Sequence, residues 1–268
     1  MARNWLWTIN RRLRKTGFEI QRYPKSRSAL ELLETMSNMT EGMQGSQQLQ
    51  DFADYLRGFT LLFDKNVTPL SQLGQECWIL GQMGEKPGTF LEIGAFHPVQ
   101  WSNSNLLRNY FGWSGFHVDP SAQSQSNFER HQLKDFFLPY AIGSRRGDAY
   151  LVGDGAFAQV FPSAFEAENK SATSEHKADR AIKIIRTITP RDVVEIVGHI
   201  DYLSLDIEGG ESEVIELWPF ELCSPKFITV EHNHRFEDKI KLNKLLQNQG
   251  YRLTLEPISD FESWFTRI

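Results

Sequence analysis

Four carboxylic acids stand at or beside the ends of short apolar runs. They are Glu92 in Thr89-Phe90-Leu91-Glu92-Ile93, Asp119 after Phe116-His117-Val118, Asp206 in Tyr202-Leu203-Ser204-Leu205-Asp206-Ile207, and Glu231 after Phe227-Ile228-Thr229-Val230. A single acid in such a place can be a helix cap. Four along one edge of a sheet are better explained by a cationic or hydroxyl-rich ligand, because ligands of open α/β sheets bind beyond the carboxyl ends of the strands.

The first turn, Glu92-Ile93-Gly94-Ala95-Phe96-His97-Pro98, has a lone glycine. A dinucleotide pyrophosphate needs close backbone approach and therefore more glycines than this. S-adenosylmethionine carries no phosphate: it needs one tight turn beside its amino-acid part and an acid for its ribose hydroxyls. Asp119 follows Glu92 by 27 residues, at the end of the next strand, where a ribose-binding acid is expected. The cofactor candidates are thus Glu92, Gly94, Ala95, Asp119 and Pro120. Asp135, just before the third strand, is placed to meet an adenine amino group or to act as a plain cap. The other reading of this pattern is a nucleotide fold with a different ligand.

Strands and helices must alternate to put these acids on one edge. Apolar runs predict strands at 89–93, 116–119, 136–142, 202–207 and 227–231, with helical segments near 102–111, 121–134, 211–218 and 236–249. Gly250 caps the last helix before the run Tyr251-Arg252-Leu253-Thr254-Leu255. This rhythm predicts an α/β fold with a doubly wound, mostly parallel sheet. Residues 153–190 interrupt it with Gly153, Gly155, Pro162 and the polar stretch from Glu166 to Arg180, either a substrate lid or a structural excursion. Residues 35–50 are polar and read as a linker, 51–64 as a helix. The division is a basic helical extension and linker over 1–66, then the main domain over 67–268.

The chain resembles the FkbM-type methyltransferases over roughly residues 70 to 255. The matching stretches are Ser71-Gln72-Leu73-Gly74-Gln75-Glu76, Phe90 to Pro98, Ser102-Asn103-Ser104, Gly112 to Pro120, Tyr202 to Glu211, and Thr229-Val230-Glu231-His232-Asn233. The run Asp206-Ile207-Glu208-Gly209-Gly210-Glu211 is the most distinctive. The family's first motif is Asp-x-Gly-Ala-Asn; here Glu92 stands for the Asp and Phe96 for the Asn, which removes a polar side chain at the turn. The resemblance implies a class I, Rossmann-like methyltransferase fold and O-methylation of a hydroxyl, with sugars and polyketide-type natural products among the family's substrates.

Transfer from a sulfonium is an in-line displacement, so it rests largely on alignment. A hydroxyl acceptor must also lose its proton, to a positioned base or with help from a metal. Adjacent parallel strands would bring Asp206 together with Glu231, His232 and Asn233. In one reading His232 or Asp206 is the base. In a second, Asp206, Glu231 and Asn233 bind Mg²⁺ through oxygen. In a third they only hydrogen-bond the structure together. Glu208, beside the Gly209-Gly210 turn, is a further catalytic candidate, whereas Glu211 and Glu213 are read as helix caps or solvated. His97 is placed to reach the donor carboxylate or an acceptor hydroxyl, and His117 and His131 serve packing or surface roles.

Composition bounds the remaining classes. A net charge of −5 over 268 residues argues against a general nucleic-acid binder. Cys77 and Cys223 fit neither a disulfide framework nor a zinc ribbon; buried free thiols in a reducing, cytoplasmic setting are expected. Arg3, Arg11, Arg12, Arg14, Lys15, Arg22, Lys25 and Arg27 crowd the start, with Trp5, Leu6, Ile9 and Leu13 near helical spacing. That segment either lies on the inner face of an anionic membrane or packs on the main domain. The expectation is an S-adenosylmethionine-dependent O-methyltransferase acting on a saccharide or glycoconjugate. The alternatives are a cofactor-binding module of the same fold without catalysis, and a methyltransferase of small natural products.

Overall fold

The computed structural model describes residues 46–153, 155–173, 181–259 and 261–268. The basic segment 1–30 and residues 35–45 of the expected linker lie outside them. Helix α1 (Ser46–Asp64) and helix α2 (Gln75–Met83) come first. They touch backbone to backbone: a Cβ on Gly58 would stand 1.7 Å from the Cys77 carbonyl oxygen, and one on Gly81 1.7 Å from that of Asp54. Arg252 fixes α1 further through two bonds to the Asp51 carboxylate, 2.5 and 2.9 Å. Residues 46–50, expected in the linker, instead belong to α1. Gln47 and Gln50 donate to Asp51 and Asp54 one turn on, and such i,i+4 pairs carry a helix through a polar stretch.

Strand β1 (Thr89–Ile93), helix α3 (Asn105–Phe111), strand β2 (Ser114–Val118), helix α4 (Ala122–Arg130) and strand β3 (Phe137–Leu138) follow. Residues 136–142, expected as one strand, divide at Pro139. Without an N–H, Pro139 cannot continue the ladder, and the chain leaves for a second sheet as β4 (Ala141–Ile142). That sheet adds β5 (Gly147–Val152), β6 (Gln159–Phe161) and β7 (Ile182–Ile188), in the order β4-β7-β5-β6. Helix α5 (Ala164–Thr173) packs on it. The interruption read at 153–190 is therefore a small sheet that begins before residue 153.

The chain returns through α6 (Pro190–Val197), entered by a capping box of Thr189 and Asp192. Strand β8 (Tyr202–Leu205), helix α7 (Glu211–Glu216), strand β9 (Phe227–Glu231), helix α8 (Phe236–Asn248), strand β10 (Tyr251–Thr254), helix α9 (Glu256–Ser259) and strand β11 (Glu262–Arg267) complete the fold. The main sheet runs β10-β11-β9-β8-β1-β2-β3. Strands β3, β2, β1, β8 and β9 are parallel, and β11 is antiparallel to both of its neighbours. Strand order reverses between β1 and β8, the place where such sheets open a crevice.

Alternation along the strands splits the core into two layers. Leu91, Ile93, Leu203, Leu205, Ile228 and Val230 pack with residues of α6, α7 and α8. On the other face Phe90, Tyr202, Phe227 and Trp264 pack with α1, α2 and α3. Cys77 and Cys223 are buried and free, as expected. No helix among the described residues is long and apolar enough to cross a membrane.

Candidate functional site

The lone glycine of the first turn is dictated by a neighbour. Gly94 has φ +87°, and a Cβ there would stand 1.5 Å from the Asp206 carbonyl oxygen. The Gly94 N–H donates to Val118 O (2.8 Å) and the Asp206 N–H to Ile93 O (3.0 Å). Thus the ends of β1, β2 and β8 are pinned together, and Asp206 is drawn close to the turn.

Beyond these ends lies a cleft of about 390 Å³ between the two sheets. Gly94, Asp119, Pro120, Asp206 and Glu208 line its floor, and Leu151, Val160 and Thr187 of the small sheet line its roof. Asp119 accepts from the Ser121 N–H at 2.8 Å. Burial is the main cause that raises its proton affinity, opposed by the bonds from Ser121 and Ser124. Glu213, read from sequence as a cap or solvated, also reaches the cleft.

Glu92 and Ala95 do not line this cleft. The Glu92 side chain lies on the opposite face of the sheet, where it accepts from Ser102 Oγ (3.0 Å), the Asn103 N–H (2.8 Å) and Ser104 Oγ (2.5 Å). It therefore holds the loop that leads into α3. Ala95 packs with Phe128 and Phe137. Asp135 lies in the 3₁₀ turn Lys134–Phe136 before β3. His117 is buried beside Ser104, and burial lowers its pKa to about 3, which makes it a neutral packing residue. His97 accepts from the Val99 and Gln100 N–H groups through Nδ1, so that nitrogen is already occupied.

The ends of β8 and β9 bring a second group together. Carboxylate oxygens of Asp206, Glu208 and Glu231 lie within 4.8 Å of one another. Burial, and then the charge and proximity of the Asp206 carboxyl, hold the Glu231 carboxyl well above the usual carboxylate range. Like charges this close share a proton rather than both ionise. Asn233 Nδ2 donates to Glu231 (2.9 Å) and more weakly to Glu208 (3.4 Å). Glu208 stands at φ +60°, with burial first and then Asp206 pushing its carboxyl to about 7. Such a backbone costs about 1–3 kcal/mol and persists where the surroundings impose it. Gln159 of β6 donates to the Glu208 carbonyl (3.1 Å), so the small sheet meets the acid-bearing turn directly. Glu211 is a cap, accepting from the Ile207 (3.2 Å) and Gly209 (2.8 Å) N–H groups and pairing with Arg235 (3.3 Å).

His232 is buried beside this group but outside it, with Nδ1 accepting from the His234 N–H at 3.2 Å. The sequence reading offered 153–190 as a substrate lid or a structural excursion; it missed that the roof is a sheet including β5, and it missed the wall formed by Tyr140. The β-branched content of Ile182-Lys183-Ile184-Ile185-Arg186-Thr187-Ile188 was a usable signal for a strand there.

One cleft thus joins a glycine turn, an acid at the second strand end and two members, Asp206 and Glu208, of a cluster of carboxyls whose third member, Glu231, stands beside them. That arrangement suits binding a nucleoside-like ligand beside a group that can move a proton. No curated protein matches the chain. The profile described as Methyltransferase FkbM domain matches residues 92–253, more than half of the chain. The chain belongs to the FkbM methyltransferase family.

Proposed function

We propose that the protein is an S-adenosylmethionine-dependent O-methyltransferase whose acceptor is a hydroxyl of a saccharide or glycoconjugate. The observation that carries the reading is the single cleft shared by Gly94, Asp119 and Asp206, with Asp206 paired to Glu231. The residues present fit a donor without phosphate. The turn closes on backbone and has no run of glycines, while Asp119 offers a carboxylate at the ribose position. The strand order, reversing at β1 and β8, supports the class I, Rossmann-like reading.

S-adenosylmethionine supplies, when bound, a methyl group on a sulfonium that leaves in a displacement. The chain's residues do the rest. Gly94 and Pro120 shape the cleft, Asp119 binds ribose hydroxyls, and the small sheet excludes water from above. The Asp206–Glu231 pair, holding one proton between two oxygens, retains a carboxylate that accepts the proton of an acceptor hydroxyl. Asp206 thus takes the base role in preference to His232, whose Nδ1 is engaged.

A second reading gives Asp206, Glu208 and Glu231 to Mg²⁺, favoured by the 4.8 Å grouping of their oxygens, a hard-ligand set. Asn233 flanks that set. Labelled donor offered with a panel of sugars and lipid-linked glycans, with and without chelator, separates the two. Transfer that survives chelation supports the base reading, and transfer abolished by chelator and restored by Mg²⁺ supports the metal. Calorimetry is the companion measurement. The wild type should bind S-adenosylmethionine or its demethylated product at micromolar levels and Asp119→Ala should not; a wild type that binds neither sinks the proposal.

The basic segment 1–30 completes this reading as a contact with anionic membrane that carries a lipid-linked acceptor. Deleting it should release the protein from anionic liposomes without loss of donor binding. A full-length protein that ignores such liposomes at low salt excludes the contact.

A further inference from the structure

Strand β11 places a buried carboxyl, Glu262, directly opposite Glu231 in the antiparallel pair. Residues opposed in this way point to the same face of the sheet, so two carboxyls share one buried surface there. An apolar residue would be cheaper, so a carboxyl in that position calls for an explanation. Glu262 is fully engaged: Gln75 Nε2 donates to Oε1 (2.7 Å) and Trp264 Nε1 donates to Oε2 (2.7 Å). The Gln75 amide cannot flip, because its Oε1 accepts from the Leu73 N–H at 3.1 Å.

The loop that presents Gln75 is itself tied. Ser71 Oγ accepts from the Gly74 and Gln75 N–H groups, both at 3.0 Å, and Glu76 Oε1 accepts from the Leu70 (2.6 Å) and Ser71 (3.0 Å) N–H groups. On the far side of Glu262 is Phe261, whose carbonyl accepts from the His232 N–H (2.8 Å) and the Asn233 N–H (3.1 Å). Asn233 is held at φ +47°, and its side chain donates to Glu231 and Glu208. A continuous run of hydrogen bonds and backbone therefore leads from the 70–76 loop through Glu262 to the acid group.

We infer that Glu262, clamped by Gln75 and Trp264, is a positioning residue that fixes the 232–233 turn and through Asn233 orients the carboxyls of Glu231 and Glu208. The inference rests on the proposed transferase reading for its catalytic consequence, and its structural part can be tested separately.

Glu262→Gln offers one acceptor oxygen to two donors, so its NH2 group must face either Gln75 Nε2 or Trp264 Nε1 and one arm of the clamp is broken. The reciprocal double variant, Gln75→Glu with Glu262→Gln, restores it. The amide now carried by β11 can donate to the carboxylate now carried by α2, and its oxygen can accept from Trp264. Misplacement of this kind predicts that the single variant loses roughly 10-fold to 100-fold in kcat while its affinity for the demethylated donor product is unchanged. The double variant should recover most of that loss. Hydrogen exchange of the His232 and Asn233 amides should quicken in the single variant and slow again in the double. This readout needs no turnover, so an inactive wild type would refute the transferase reading without touching the positioning role. Should Glu262→Gln fail to fold, Gln75→Leu removes one of the two donors and predicts the same changes in smaller measure. Unchanged exchange at His232 and Asn233 in the broken clamp overturns the inference, as does a double variant no better than the single.

Discussion

At the scale of single residues, the site depends on a contact that a side chain would abolish. Gly94→Ala combines a left-handed backbone with a Cβ driven into the Asp206 carbonyl. The expected loss is about 3 kcal/mol or more, read as a lower unfolding midpoint, together with lost donor binding because β1 and β8 must part. The acids Glu92 and Asp119, alike in the sequence, differ in kind. Asp119 was legible as an acid at the strand edge because it follows its strand outright, and it lines the cleft. Glu92 was not, because it precedes Ile93 by one residue, and alternation turns its side chain to the other face. Ser102, Asn103 and Ser104, which claim it, lie ten to twelve residues away and carry no sign of that partnership in their types.

Among the elements, the small sheet and the acid-bearing turn meet at Gln159 and the Glu208 carbonyl. Gln159→Ala removes one hydrogen bond, a cost of about 1 kcal/mol, and should loosen the cleft more than the fold. The expected result is a higher KM for the acceptor and faster hydrogen exchange at residues 207–210, with little change in unfolding midpoint. Equal exchange in wild type and variant would mean that the contact does not hold the turn. Strands β1, β2, β8 and β9 could be read from sequence because buried parallel strands are continuous apolar runs bounded by turns. The small sheet was not read, because β5 and β6 are half-buried and offer no continuous apolar run, β6 being only three residues long. Strand β11 escaped notice because it opens with a buried glutamate, whose partner Gln75 is 187 residues away. Such a residue looks solvated until the fold supplies its donor.

For the whole molecule, the buried acids set how stability changes with pH. Burial pushes Glu76 to about 7 and Glu262 to about 8 from 4.5. A raised folded pKa means that the native state keeps a proton the unfolded chain releases. Their contribution is complete below 4.5 and fades as pH rises to about 8. Asp192 has the opposite sign: Arg146 holds it far below 3.8, so its contribution is lost as pH falls through the acid range. The free energy of unfolding should therefore be higher at pH 5.5 than at pH 8.5, by an amount on the order of 5 kcal/mol at fixed temperature from these two groups together. Glu262→Gln should flatten the upper part of that slope, and a flat wild-type profile would contradict it. Within the small sheet, β4 and β7 run side by side, with Ala141 opposite Thr187 and Ile142 opposite Ile188. The polypeptide therefore departs for this sheet and returns from it at neighbouring points. The segment between them should be exchangeable as a cassette and, because β4 and β7 are parallel, any bridge across its base must be a crossover of about a dozen residues or more. Grafting another cassette at that seam would exchange the ceiling over the acids while keeping the floor beneath them.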